Sequence, residues 1–183
     1  MAKKLLIGGG IFVAIFLMLF VVLFGGGHKK GTYEYKDGYM SGTMSPDQYD
    51  KLKDLVKGDS LGDRMLSLQG KITYNSTDGT NCMRTVSICM NPNDERYSWL
   101  GDGSVVYVPT AKELAQEKGY YEDFQGFDKL EPGDILIYDG DSHVGVVSDR
   151  GTLIQNGSSR GTVYEANIKY NGTPTGVIKA HKK

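Results

Sequence analysis

The segment from Leu130 to Val147 constrains the fold of this chain more than any other part of the sequence. It contains a Pro-Gly pair at 132–133, the apolar run 135–138, a second turn rich in Gly and Asp, and an apolar run that opens on His143. Pro-Gly pairs favour turns, and short β-branched or aromatic runs between turns favour strands. The pattern predicts two neighbouring strands, with a histidine at the start of the second, where its imidazole can reach another element.

Cys82 is the candidate partner of His143. Polar turn residues precede this cysteine, and apolar residues follow it at helical spacing, namely Met83, Val86, Ile88 and Met90. The spacing places Cys82 in the first turn of a helix, where unsatisfied backbone N–H groups and the helix dipole favour the thiolate. A thiol followed downstream by a histidine on a strand is the order found in papain-like Cys-His hydrolases.

Four segments between about Leu61 and Ile168 occur in an order that resembles a known family. They are Gly70–Tyr74, Asn81-Cys82, Tyr107–Thr110 and Leu130–Val147, the last of which has the pattern L-x-P-G-D, an apolar run and H-V-G. This order resembles the NlpC-type bacterial cell-wall peptidases, close relatives of the CHAP amidases in the papain-like group. The resemblance implies an α+β fold with N-terminal helices and with the cysteine at a helix N-terminus packed on an antiparallel β-sheet.

The resemblance also implies a third polar group, on the strand that follows the strand of the histidine. Aligned on the family's I-H-A-S-S pattern, Gln155 takes this position, and Asn156 is the alternative if the register is shifted by one residue. In a strand, Gln155 and Leu153 face one side while Ile154 and Asn156 face the other. Either amide is expected to orient the imidazole by accepting a hydrogen bond from Nδ1.

Tyr74 and Cys89 complete the set of candidate side chains. Tyr74, in the segment that approaches the nucleophile, is a candidate phenolic donor to the oxyanion or the substrate. Cys89 lies seven residues after Cys82, about 10 Å along one helix, which is too far for a disulfide, so we expect it to serve packing. A zinc site of Cys82, Cys89 and His143 would lack the close ligand pairs of structural zinc sites. We therefore expect no metal and no other cofactor.

The remaining sequence predicts a domain over 45–183 that begins with helices and ends with strands. A capping residue followed by Pro46 predicts a helix over 46–56, and a second short helix follows at 61–68. A Thr110-x-x-Glu113 capping box predicts a helix that ends at Gly119. The strands predicted in the C-terminal third are 135–138, 143–148, 152–156, 162–165 and 176–180. Residues 28–44 show no periodicity and are predicted to be an irregular tether.

The N-terminal residues 1–27 predict a transmembrane signal anchor. Residues 5–24 form an uncharged apolar run preceded by Lys3 and Lys4, and about twenty such residues suffice to span a bilayer. This run is longer than the apolar core of a cleavable signal peptide. We therefore expect an uncleaved single-pass anchor with the domain outside the cell. The net charge of −1 and the lack of a basic stripe give no indication of nucleic-acid binding.

The expected function is that of a membrane-anchored extracellular peptidoglycan hydrolase, a cysteine peptidase or amidase with Cys82, His143 and a third polar residue at its site. Two alternatives come from other classes of protein. Met83-Arg84 replace the Ser-Gly that usually follows the family's cysteine, which would suit a catalytically weak wall-binding or protein-binding module of a surface or conjugation apparatus. A papain-like acyltransferase acting on lipid would suit the anchor, although cysteine before histidine favours the peptidase branch.

Overall fold

The computed structural model describes residues 33–36, 39–42, 46–74 and 80–182. The helices in these ranges are α1 (Pro46–Leu55), α2 (Leu61–Leu66), α3 (Cys82–Cys89), α4 (Tyr97–Leu100) and α5 (Val108–Lys118), with a 3-10 turn at Phe127–Lys129. The strands are β1 (Tyr33–Lys36), β2 (Tyr39–Gly42), β3 (Tyr121–Asp123), β4 (Ile135–Tyr138), β5 (His143–Val147), β6 (Leu153–Gly157), β7 (Thr162–Ala166) and β8 (Gly176–Ile178). The fold is of the predicted α+β class.

An antiparallel sheet with the strand order β3-β8-β4-β5-β6-β7 forms one layer of the domain. The hairpin predicted from 130–147 is β4 paired with β5, and it sets Tyr138 opposite His143. The bounds of β4 to β8 lie within two residues of those predicted from the sequence. A separate hairpin joins β1 to β2.

Both faces of this sheet are buried, which explains why β4 is a continuous apolar run and why β5 carries no polar side chain after His143. One face packs with the helices and is formed by Ile135, Ile137, Val144, Val146, Ile154, Val163 and Ile178. The other face is formed by Leu136, Tyr138, Val147, Leu153 and Val177, and it is covered by the loop residues Phe124, Leu130 and Ile168. The helices therefore occupy one side of the sheet, and loops cover the other.

Helix α3 lies at the centre of the helical layer. All of its residues from Cys82 to Cys89 are buried, and it contacts α1 and α2 on one side and β5 and β6 on the other. A helix buried along its whole length has little freedom to shift, so the position of its first residue relative to the sheet is set by packing.

The structure differs from the sequence-based expectation at several elements, one of which is the unpredicted short helix α4 (Tyr97–Leu100). Helix α5 begins at Val108 with Pro109 in its first turn, so the predicted capping box at Thr110 is wrong; proline fixes φ near its helical value and suits this position. The edge strand β3 was not predicted. The β1–β2 hairpin lies within 28–44, which was expected to be irregular.

The predicted anchor at residues 5–24 lies outside the described residues. No helix in the ranges that the structure describes has the length and apolar character needed to cross a bilayer.

Candidate active site

Cys82 is the first residue of α3, in the helix turn where the sequence predicts it. Asn81 caps this helix: its Oδ1 accepts the backbone N–H of Arg84 at 2.8 Å, and its Nδ2 donates to the carbonyl of Val106 at 2.8 Å. The thiol is thus held at the positive end of the helix dipole. Cys82 is only 4% exposed, and it lines the cleft described below.

His143, at the start of β5, is hydrogen-bonded to Cys82. Burial of the imidazole acts to lower its pKa, but the hydrogen bond and the charge of Cys82, with a further hydrogen bond that Gln155 accepts, outweigh burial and raise the pKa of His143 above its ordinary value. A raised pKa means that the protonated imidazole is favoured next to this thiol. The structure therefore brings together the two residues that the sequence singled out, although they are sixty-one positions apart.

Gln155 is the third member of this group. Its Oε1 lies 2.5 Å from Nε2 of His143, and its side chain is 1% exposed. The expectation that the amide binds Nδ1 is wrong, because the contact is made to Nε2. Since Nε2 faces Gln155, Nδ1 is the ring nitrogen that remains for Cys82.

Asn156, the alternative third residue, serves the other side of β6. Its Nδ2 donates to the carbonyl of Thr80 at 3.0 Å and to Oγ1 of Thr85 at 2.8 Å. Thr85 in turn donates from Oγ1 to the carbonyl of Asn81 at 2.7 Å. Asn156 therefore binds the start of α3 to the sheet, whereas Gln155 is the amide that is hydrogen-bonded to the imidazole.

A cleft of about 170 Å³ opens beside Cys82. It is lined by Asn81, Cys82, Val106, Tyr107, Val108, Pro109, Gly140, Asp141 and Ser142. One wall is the start of α5, and the other is the β4–β5 turn, where Asp139, Gly140 and Asp141 all have positive φ. Asp141 is held by Lys112 of α5 at 2.8 Å, so an ion pair ties the two walls together.

Tyr107 lines this cleft, and Tyr74 is not among the residues that line it. Tyr74 is partly buried against the helix-side core, and its backbone N–H donates to the carbonyl of Gly161 at 2.9 Å. Met83 and Arg84, the residues that depart from the family pattern, are 0% and 1% exposed and do not line the cleft. Their departure concerns the packing of α3 and not the surface that a substrate would meet.

Cys89 and Asp134 are structural. Complete burial raises the pKa of the Cys89 thiol to about 12, which leaves it protonated at neutral pH. Asp134 accepts hydrogen bonds from Nζ of Lys179 at 2.6 Å and from the backbone N–H groups of Glu131 and Ala180, so it joins the turn before β4 to the end of β8. Among the described residues, no three His, Cys, Asp or Glu side chains are placed to hold a metal ion.

Two residues of this region were not identified from the sequence as site residues. Tyr107 belongs to the segment 107–110, whose proline indicated the start of a helix but gave no indication that the tyrosine lines a cleft. Asn171 donates from Nδ2 to Oε1 of Gln155 at 2.7 Å. Its only sequence signal is the pair Asn171-Gly172, which predicts a turn and carries no information about what the side chain contacts.

No protein-family model matches the chain, and no curated protein matches it. Two solved structures are similar to it. The peptidoglycan hydrolase RipB from Mycobacterium tuberculosis is 14% identical, with a TM-score of 0.46 over 75% of this chain and 69% of that one. A mutated form of the resuscitation-promoting-factor-interacting protein RipA is 15% identical, with a TM-score of 0.47 over 90% of this chain and 80% of that one.

Proposed function

We propose that this protein is a cysteine peptidase or amidase of the NlpC type that hydrolyses an amide bond in peptidoglycan. In this proposal Cys82 is the nucleophile, His143 is the base and then the acid, and Gln155 orients the imidazole.

The observation that carries the proposal is the chain of contacts from Cys82 to His143 to Gln155. A thiol at a helix N-terminus, hydrogen-bonded to an imidazole that is itself held by an amide, has the arrangement of a nucleophile, a base and an orienting group. The cleft beside Cys82 gives an amide substrate a place to lie against the thiol.

All the proton transfers of the proposed reaction take place at one nitrogen, Nδ1 of His143. The Sγ proton of Cys82 passes to Nδ1 of His143, and the thiolate adds to the carbonyl carbon of the scissile amide. The backbone N–H of Cys82 has no carbonyl partner within its own helix, and it is available to the oxyanion. Nδ1–H then protonates the leaving amine as the C–N bond breaks. Water, deprotonated by the same nitrogen, hydrolyses the resulting thioester and restores the thiol.

The substrate class and the location come from the sequence. The resemblance of 70–74, 81–82, 107–110 and 130–147 to NlpC-type peptidases implies peptidoglycan, either a stem- or cross-bridge peptide bond or the amide between peptide and glycan. An anchor at 5–24 would hold the domain on the outer side of the membrane, within reach of the wall.

Digestion of purified peptidoglycan by the full-length protein, with the products identified by mass spectrometry, tests the proposal. Released dipeptides, freed stem peptides and opened cross-bridges each define a different scissile bond. The proposal requires that Cys82→Ala release none of these products while remaining folded, as checked by cooperative unfolding in denaturant. Products formed equally by wild type and Cys82→Ala, or by neither, would refute it.

A further inference from the structure

We propose that Asn171 is a positioning residue that fixes the amide of Gln155 with its oxygen toward His143, and that it thereby selects the nitrogen of the imidazole that carries the proton. The inference rests on the proposed function, since it concerns the histidine of the same site.

The geometry at Gln155 is asymmetric. Two nitrogen atoms converge on its Oε1, namely Nε2 of His143 at 2.5 Å and Nδ2 of Asn171 at 2.7 Å. Its own Nε2 is buried and has no hydrogen-bond partner in the part of the chain that the structure describes. The hydrogen bonds of this amide are therefore all made by its oxygen.

The two nitrogen atoms next to Oε1 of Gln155 differ in whether they can accept a hydrogen bond. The imidazole nitrogen can donate or accept, depending on its tautomer, whereas the amide nitrogen of Asn171 can only donate. Without Asn171, Gln155 could rotate by about 180° and donate from Nε2 to His143, and the imidazole would change tautomer to match. As long as Asn171 keeps its Nδ2 toward Gln155, that rotation would set the N–H groups of the two amides against each other and leave the buried donor of Gln155 without an acceptor.

The choice of tautomer decides whether the first proton transfer can occur. When Oε1 faces His143, the proton of the neutral imidazole stays on Nε2, and Nδ1 offers its lone pair to the Cys82 thiol. When the amide is reversed, Nε2 becomes the acceptor and Nδ1 already carries a proton, so the thiol proton has no base to receive it.

The sheet order explains how a distant residue reaches this amide. β7 is an edge strand, and β8 lies four positions away between β3 and β4, so residues 167–175 must cross about 19 Å of sheet at the usual strand spacing. Ile168 packs on the face that carries Leu153, which is the face of Gln155. The turn at 169–172, closed by a hydrogen bond from Gly172 to Lys169 at 3.0 Å, presents Asn171 partway along this crossing.

The test measures the tautomer directly, in the full-length protein in detergent with ¹⁵N-labelled histidine. The background is Cys82→Ala, so that no thiol titrates, at a pH where the imidazole is neutral. We expect the Nε2–H form of His143 to dominate. Asn171→Asp keeps the size of the side chain and its suitability for a turn but removes the donor, and we expect it to shift His143 toward the Nδ1–H form.

Asn167→Asp is the matched control, because Asn167 is exposed, lies in the same loop and contacts the backbone of Lys169 and not Gln155. It should leave the tautomer unchanged. In a Gln155→Glu background, where both carboxylate oxygens are acceptors, Asn171→Ala should also leave the tautomer unchanged. A dominant Nε2–H form in Asn171→Asp, or an equal shift in Asn167→Asp, overturns the inference.

Rates provide a second readout with cysteine restored. Asn171→Ala should lower kcat by about 10- to 100-fold with little change in KM, as expected for a misplaced catalytic group. An unchanged kcat overturns the inference and leaves the proposed function intact. Hydrolysis by Cys82→Ala overturns the proposed function but not the tautomer result, because the NMR measurement requires no turnover.

Discussion

At the scale of single residues, the two cysteines show how position on one helix separates chemistry from packing. Cys82 begins α3, contacts His143 and lines the cleft, whereas Cys89 ends the helix with no exposed surface. We expect Cys82→Ala to abolish hydrolysis and Cys89→Ala to retain it while lowering the free energy of unfolding by about 1 kcal/mol, the cost of a small cavity. Release of wall fragments and denaturant unfolding measure the two effects. If Cys89→Ala folds but is inactive, the identification of Cys82 as the nucleophile is wrong.

The pKa of His143 supplies a second prediction at this scale. Burial lowers this pKa, and contact with Cys82 raises it above the ordinary value. Cys82→Ala removes the contact and leaves the burial, so we expect the pKa of His143 to fall. Titration followed by NMR measures it, with the signals of His181 as an internal reference because that residue lies outside the site. An unchanged pKa in Cys82→Ala would mean that the thiol does not govern the imidazole.

The same shift has a consequence for stability as a function of pH. Because the pKa of His143 is higher in the folded than in the unfolded protein, its protonation stabilises the fold fully below the unfolded pKa, and this stabilisation is lost as the pH rises through the folded pKa. The thiolate–imidazolium pair needed for attack loses its imidazolium over the same range.

At the scale of secondary structure, β6 holds both sides of the site with two neighbouring amides. Gln155 contacts His143, and Asn156 fastens the start of α3. Because successive side chains of a strand point to opposite faces, β6 fixes the position of His143 relative to the start of α3.

These two amides should respond differently to substitution. Gln155→Ala removes the group that orients the imidazole, so we expect turnover to fall by about 10- to 100-fold, less than for His143→Ala. Asn156→Ala removes two buried hydrogen bonds, to the carbonyl of Thr80 and to Oγ1 of Thr85, so we expect the free energy of unfolding to fall by about 2 kcal/mol or more, with a smaller effect on turnover per folded molecule. Kinetics and denaturant unfolding of both variants test this. A larger loss of turnover in Asn156→Ala would reverse the two roles.

The elements that the sequence predicted well are those whose signal is local. The hairpin of β4 and β5 has a Pro-Gly turn and two apolar runs, and the start of α3 has a capping asparagine and an apolar spacing. β3 has three residues with two acidic side chains, and it is a strand because β8 provides hydrogen-bond partners. Strands of this kind depend on a neighbour distant in sequence, so local patterns do not predict them.

The site shows the same division. Cys82, His143 and Gln155 could be proposed from the sequence because each lies in a segment that resembles a motif of the NlpC-type peptidases. The ring nitrogen that Gln155 contacts depends on the rotamer of a packed side chain. Asn171 reaches the site because residues 167–175 cross the sheet from β7 to β8. Neither feature leaves a trace in the local sequence.

At the scale of the whole molecule, the site lies where the helical layer meets one end of the sheet. α3 supplies the thiol, β5 the imidazole, β6 the amide, and the β7–β8 connection the donor to that amide. The components come from both sides of the sheet, so the complete domain is needed to assemble them. We expect truncation before β8 to abolish the site even though Cys82, His143 and Gln155 would remain in the chain.

The last prediction concerns the N-terminal segment of the full-length chain. If residues 5–24 are an uncleaved anchor, the protein should sediment with membranes and resist extraction by high salt, because salt screens ionic attachment but does not weaken the burial of apolar residues. The double substitution Val13→Lys/Leu17→Lys places two charges in the middle of this run, at a cost of about 2.5–3.5 kcal/mol each. We expect it to release the protein into the soluble fraction, while the matched control Val13→Leu/Leu17→Ile stays with the membrane. A mature N-terminus beyond Gly27, found by mass spectrometry of the intact protein, would identify a cleaved signal peptide instead.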